Sequence, residues 1–287
     1  MSGTLYLCAT PIGNLGDMTL RVIEILKTVD IIAAEDTRNT IKLLNHFEIK
    51  TPMTSYHQHN LDTKGPVLIE KLKEGKNIAL VSDAGMPGIS DPGEDMAKRC
   101  RLEGIPVTIA PGASAGISAL VLSGMDARRY VFEGFLPTDK RERQSVLKNL
   151  EKETRTTVFY EAPHRLTDTL AALIKAAGDR EAAAVREITK RYEEVRHDTL
   201  TGLFQYYRDN PPKGEFVIVV AGMSESALRQ EEIDGWLGIS IEEHMQKYIS
   251  EGNTETDEED GLRQLHDLAF RQRKGSHEEG FQGQGSF

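Results

Sequence analysis

Short apolar runs alternate with helical spacings along the first 110 residues. Thr4 to Ala9 (TLYLCA) reads as a buried strand, and Leu20, Ile23 and Leu26 then recur at helical intervals. Ile31 to Ala34 is a second apolar run, and Ile41, Leu44 and Phe47 share one face of the helix expected after it. Asn77 to Val81 predicts a strand, Glu94 to Glu103 a helix, and Val107 to Ala110 another strand. Continuous apolar runs belong to strands buried on both faces, so this half predicts a mostly parallel sheet covered by helices. The pattern restarts after Pro111, where a small-residue-rich stretch to Met125 reads as a packed connecting helix. Strands are expected at Tyr130 to Glu133, Thr156 to Tyr160, Ala182 to Val185 and Glu215 to Ala221. A helix is expected over Leu166 to Ala177, and an extended segment over Glu194 to Leu200. The expected organisation is one α/β domain over 1–118, a second over 119–223, a helical extension over 224–250 and a polar, disordered tail over 251–287. The junction between the two α/β domains is short, which predicts tight contact and a cleft between them, a preferred ligand site.

Composition changes this picture little. A chain of 287 residues suits one large domain or two ordinary ones. It has no apolar run long enough to span a membrane, and its first residues lack the basic and apolar regions of a signal peptide. Cys8 and Cys100 fit buried thiols in a reducing compartment, so a cytoplasmic location is expected. Cys and His show no metal-ligand spacing, and no metal is expected. The net charge of −10 speaks against nucleic acid until its distribution is considered. From Glu225 onward there are 15 acidic and six basic residues, leaving 29 basic and 30 acidic residues before it. A near-neutral body of this kind can carry a local basic cleft.

Five stretches carry candidate chemistry. ATPIGNLGDMT (Ala9 to Thr19) links a strand to a helix, with Pro11, Gly13 and Gly16 restricting the turn and letting a ligand approach the backbone. It is not a GxGxxG loop, although Glu35 lies about where a ribose-binding acid would sit, which leaves an NAD(P) oxidoreductase as a rival. In AEDTRNT, Asp36 or Thr37 can cap a helix. Arg38 in the first turn opposes the helix dipole, so a ligand such as phosphate is expected there. SYHQHN places His57 and His59 two apart in a loop, suited to polar substrate contacts or to solvent. VSDAGMPGISDPG (Val81 to Gly93) is too constrained for a simple connection and reads as a rigid wall around a ligand, with Ser90 or Asp91 free to cap the next helix. In the second half, FYEAPHR and REITK place Glu161, His164, Arg165, Arg186, Glu187 and Lys190 at strand ends, where ligands gather in parallel sheets.

Taken in order, ATPIGNLGDMTLR, AEDTRNT, VSDAGMPGISDPG, APGASA, FYEAPHR, REITK and GEFVIVV resemble the tetrapyrrole (corrin/porphyrin) methylase superfamily. Within it they are most similar to the RsmI family, the 16S rRNA ribose 2′-O-methyltransferases. The resemblance covers residues 4–222. It implies an α/β fold of two αβα domains with S-adenosylmethionine in the interdomain cleft, and a homodimer. It also implies 2′-O-methylation of a decoding-centre cytidine on the assembled 30S subunit. By the same resemblance the cofactor lies near Pro11, Asp83, Ala84, Gly85, Met86, Ile89, Ser114, Ala115, Phe159, Tyr160, Arg186 and Gly214.

The implied displacement needs alignment of oxygen, methyl carbon and sulfur, and a group to take or share the hydroxyl proton. Candidates are Glu187 and Lys190 first, then Glu161, Asp36 and His57; a lysine needs a depressed pKa to act as base. Arg38, Arg165 and His164 are the expected RNA contacts. The tail departs from the basic helical module usual in this family. A tetrapyrrole-precursor C-methyltransferase and a non-catalytic ribosome-assembly factor on the same fold remain alternatives.

Overall fold

The computed structural model describes residues 1–224 and 226–230. Met1–Gly222 forms one compact unit and Met223–Phe287 another. Of the latter only a helical turn at 226–230 is described, with Ser224 Oγ accepting from Ala227 N–H. The expected helical extension and acidic tail otherwise lie outside the described residues.

The larger unit holds two five-stranded sheets. In the first, β1 (Leu5–Cys8), β2 (Ile31–Ala34), β3 (Met53–Ser55), β4 (Ile78–Val81) and β5 (Val107–Ala110) run parallel in the order β3-β2-β4-β1-β5. Their crossovers are α1 (Leu20–Thr28), α2 (Thr37–His46), α3 (Leu61–Lys73) and α4 (Gly93–Leu102). One apolar cluster packs α1 and α2 on one face, around Val22, Leu26 and Leu44. The other packs α3 and α4 on the opposite face, around Leu68, Leu72 and Met96. Burial on both faces is why the inner strands β1, β2 and β4 lack polar alternation, while edge strand β5 leaves Val107 and Ile109 exposed. Helix α3 had no clear signature because Gly65 and Pro66 interrupt its apolar spacing.

The second sheet has the order β6-β7-β10-β8-β9, from β6 (Tyr130–Phe135), β7 (Thr156–Glu161), β8 (Glu181–Arg186), β9 (Glu194–Thr199) and β10 (Phe216–Val220). It is mixed, so the rule of parallel sheets applied above to its strand ends does not hold for it as a whole. Only β6 and β7 pair in parallel; β10 is antiparallel to β7 and β8, and β9 to β8. Apolar runs report burial and not strand direction. The functional consequence expected at the strand ends survives, because Phe216 lies opposite both Glu161 and Arg186. The carboxyl ends of β7 and β8 therefore share an edge with the amino end of β10. Helix α5 (Ala115–Ser123) covers one face of this sheet through Ala119 and Leu120. Helices α6 (Lys140–Glu151), α7 (Leu166–Ala177) and α8 (Leu200–Asp209) cover the other through Leu150, Leu170 and Leu203.

Candidate functional site

The loops after β1 and β4 are stitched together. Thr10 N–H donates to Gly85 O at 2.9 Å, Gly85 N–H returns a bond to Thr10 O at 3.1 Å, and the Thr10 hydroxyl donates to Ser82 O. Gly85 sits at φ +82°, and a β-carbon there would lie 3.2 Å from both Ala113 O and Ile12 Cγ2. Asp91 Oδ1 accepts from Gly88 N–H and Gly93 N–H, both at 2.8 Å, so it pins the far side of the loop to the first turn of α4. Asp83 is held from α2: it accepts from Asp36 N–H at 3.0 Å and from Asn39 Nδ2 at 3.4 Å.

Opposite this wall lie the strand ends of the second sheet. Tyr160 projects toward α5, where its hydroxyl accepts from Gly116 N–H at 3.1 Å. Glu161 is almost fully buried and accepts from Thr169 Oγ1 at 2.6 Å and from Ala162 N–H at 2.8 Å, with Arg165 Nε 3.4 Å away. Glu187, at φ 50°, accepts from Lys190 Nζ and from Glu215 N–H, both at 2.9 Å. Lys190 also reaches Glu215 Oε2 at 2.8 Å. Two further contacts join the halves: Thr189 Oγ1 donates to Asp17 Oδ2 at 2.5 Å, and the Lys190 stem lies where a β-carbon of Gly13 would be.

Between the walls is a cavity of about 620 Å³. Both halves line it: Ile12, Asp83, Gly85 and Met86 from the first, Tyr160, Val185, Glu187 and Val217 from the second. Its carboxylates differ in state. Burial, then the nearby Asp83 and Asp91, push the Glu35 pKa up against one backbone N–H bond. Burial likewise raises Asp91, against its backbone bonds. Burial also works to raise Glu187, but the Glu215 N–H and the Lys190 ammonium prevail and hold it low. For Lys190 burial acts downward, and the bonds to Glu215 and Glu187 reverse it, so its pKa is raised.

The structure gathers Asp83, Ala84, Gly85, Met86, Ile89, Ser114, Ala115 and Tyr160 around the cavity, with Glu161, His164, Glu187 and Lys190. It does not bring Phe159, Arg186, Pro11 or Gly214 there. Neighbours in a strand face opposite ways. Phe159 thus packs into the core under α7, while Tyr160 faces the cavity. Val185 likewise lines the cavity, and Arg186 turns to Glu194 at 3.5 Å. Gly214, at φ +84°, leaves room for the Glu187 side chain. Pro11 lines a separate, smaller cavity.

Asp36 and His57 also lie off the large cavity. Asp36 caps α2 and pairs with Arg38 at 2.7 Å; that guanidinium holds its carboxyl down to about 2. His57 is tied into its own turn by a 2.9 Å bond from its N–H to Asn60 Oδ1. Arg38 is exposed beside Asp36, and Arg165 is spent on Glu161 and Leu136 O. Thr19 caps α1, its hydroxyl accepting from Val22 N–H. Lys190, with its raised pKa, does not meet the condition set for a lysine base. Sequence reasoning left Glu35, Asp91 and Phe135 out of the site, although all three line it. Glu35 did carry a signal, as a charge ending a buried strand. Among the described residues no cluster of His, Cys, Asp and Glu is arranged to hold a metal ion.

Comparison with known proteins agrees with this architecture. Residues 4–203 match the model for Tetrapyrrole (Corrin/Porphyrin) Methylases. The chain is 48% identical over 252 residues to the ribosomal RNA small subunit methyltransferase I of Bacillus subtilis, covering 88% of this chain and 86% of that protein. It is 52% identical over 238 residues to the protein of the same name from Synechocystis, covering 80% and 85%. Among solved structures, a diphthine synthase superposes with TM-score 0.59 at 16% identity, covering 77% of this chain and 90% of that one. The uroporphyrin-III-C-methyltransferase of Thermus thermophilus gives 0.54 at 18%, covering 80% and 98%. These two likenesses concern the fold alone. Sequence and architecture together place the chain in the tetrapyrrole (corrin/porphyrin) methylase family, on the branch of the ribosomal RNA small subunit methyltransferase I proteins.

Proposed function

We propose that this protein is an S-adenosylmethionine-dependent methyltransferase acting on the ribose 2′-oxygen of a decoding-centre cytidine in 16S rRNA, within the assembled 30S subunit. The observation that carries the reading is the 620 Å³ cavity built from the strand ends of both sheets. The names of the relatives supply the class of substrate.

The residues present fit the cofactor. Gly85 keeps the backbone open where a β-carbon would crowd Ala113 and Ile12. Glu35, Asp83 and Asp91 offer carboxylates to a cationic ligand and its hydroxyls, and Met86, Phe135, Val185 and Val217 keep water out. When bound, S-adenosylmethionine supplies an electrophilic methyl group on a positively charged sulfur. Asp83 to Ile89, Ser114, Ala115 and Tyr160 would hold it. Glu161 orders the end of β7 through Thr169 and Ala162. Glu187 is the carboxylate able to accept the hydroxyl proton, and Lys190 stays charged beside it, where it steadies the developing alkoxide.

A homodimer belongs to the same reading. Val107 and Ile109 on edge strand β5, Ile117 and Val121 on α5, and Tyr130 and Phe132 on edge strand β6 are exposed large apolar residues. A second copy of the chain is the cover that these edges call for.

Labelled S-adenosylmethionine and unmodified 30S particles test the activity. Label on the ribose of one 16S cytidine is the expected result. Absence of label on RNA, with transfer to a tetrapyrrole precursor instead, overturns it.

A further inference from the structure

A second cavity, of about 260 Å³, adjoins the first. We propose that it receives the acceptor nucleotide of a single-stranded RNA segment, with the flanking phosphate on Lys42. This inference rests on the methyl-transfer reading and adds the place of its substrate.

The cavity is formed by the loop after β1 and the first turns of α2, including Thr10, Leu15, Asn39, Lys42 and Leu43. It shares Ser82 and Asp83 with the large cavity. A second partition is the Lys190 stem, which lines the large cavity and lies against Gly13 of the small one. The two spaces are thus neighbours that share Ser82 and Asp83 and meet across Lys190.

Their chemistries differ. The large cavity carries several carboxylates on an otherwise mostly apolar lining. The small one offers an amide, hydroxyls, a few aliphatic side chains, one cation and, as its one carboxylate, the shared Asp83, which already accepts from Asp36 N–H and Asn39. Among the described residues Lys42 forms no ion pair. Arg38 stands one turn before it on the same face of α2, with 87% of its side chain exposed despite the bond to Asp36. A nucleotide presents the matching set: an anionic phosphate, a hydrogen-bonding base edge and an apolar ring face. Asn39 already donates to Asp83, so a base edge at Asn39 places its ribose beside the shared wall. The reacting oxygen then enters the large cavity past Ser82 and Asp83.

Binding of a short cytidine-containing oligoribonucleotide, with S-adenosylhomocysteine present, tests the pocket apart from turnover. The variants are Leu15→Trp, which fills the mouth from an exposed position, Lys42→Ala and Lys42→Arg. Leu15→Trp and Lys42→Ala should each weaken RNA binding by about three- to tenfold, and Lys42→Ala should lower the salt slope by about one. Lys42→Arg should keep both, and calorimetry should find S-adenosylhomocysteine affinity unchanged in all three. Equal RNA affinity across wild type, Leu15→Trp and Lys42→Ala overturns the proposal. Failure of the wild type to methylate 30S particles overturns the functional reading instead, and the binding series still decides the pocket.

Discussion

A β-carbon at Gly85 would meet Ala113 O and Ile12 Cγ2 at 3.2 Å, in a backbone conformation that L side chains rarely adopt. Gly85→Val should therefore weaken S-adenosylmethionine binding about tenfold or more, read by calorimetry, because the strain must be relieved into the cavity wall. Glu35 makes a pH-dependent prediction. Its raised pKa means that the folded protein takes up this proton at a pH above the ordinary glutamate value of 4.5. Cofactor affinity should then fall on acidification, beginning above that value, and Glu35→Gln should flatten the slope. The stability contribution has the opposite sense: it is greatest in acid and is lost as pH rises through the raised value, since the folded state binds the proton more tightly. The two thiols should be inert. Burial pushes Cys8 to about 12, despite Arg21, and Cys100 to about 11. Neither should react with a thiol reagent at neutral pH until the protein unfolds.

At the scale of elements, the loop between β4 and α4 depends on one carboxylate. Asp91→Ala removes the acceptor for both Gly88 N–H and Gly93 N–H. It should cost about 1–3 kcal/mol in urea denaturation, the usual effect of leaving part-buried backbone donors without an acceptor. The pair Glu187–Lys190 adds stability at neutral pH. The lysine part is complete below its ordinary pKa and lost as pH rises through the raised value; the glutamate part is lost as pH falls through the lowered one. Much of this level was legible in the chain. Strands β1, β2 and β4 announced themselves because they lie inside the sheet with both faces covered, edge strand β5 showed as a short apolar run although most of it is exposed, and the glycines and prolines of Val81 to Gly93 marked a shaped wall. Helix α6 was not legible, because its stretch KRERQSVLKNLE holds few apolar residues and buries only Leu150. Nor could sequence tell Tyr160 from Phe159, or Val185 from Arg186, at the cavity. That choice follows from strand register, which pairing partners distant in the chain decide.

For the whole molecule, order of appearance along the chain matters as much as position in the sheet. The first sheet is complete at Ala110. The second cannot close until Phe216–Val220 exists, because β10 lies between β7 and β8. A chain ending at residue 209 should keep slow amide exchange in β1 and β4 and lose it in β7 and β8, as hydrogen-exchange mass spectrometry would read. During synthesis the same topology leaves two separate ribbons, β6–β7 and β8–β9, each with an open apolar edge. A nascent chain is therefore most exposed to misassociation in the interval between residues 186 and 216, when one half is finished and the other waits for its keystone.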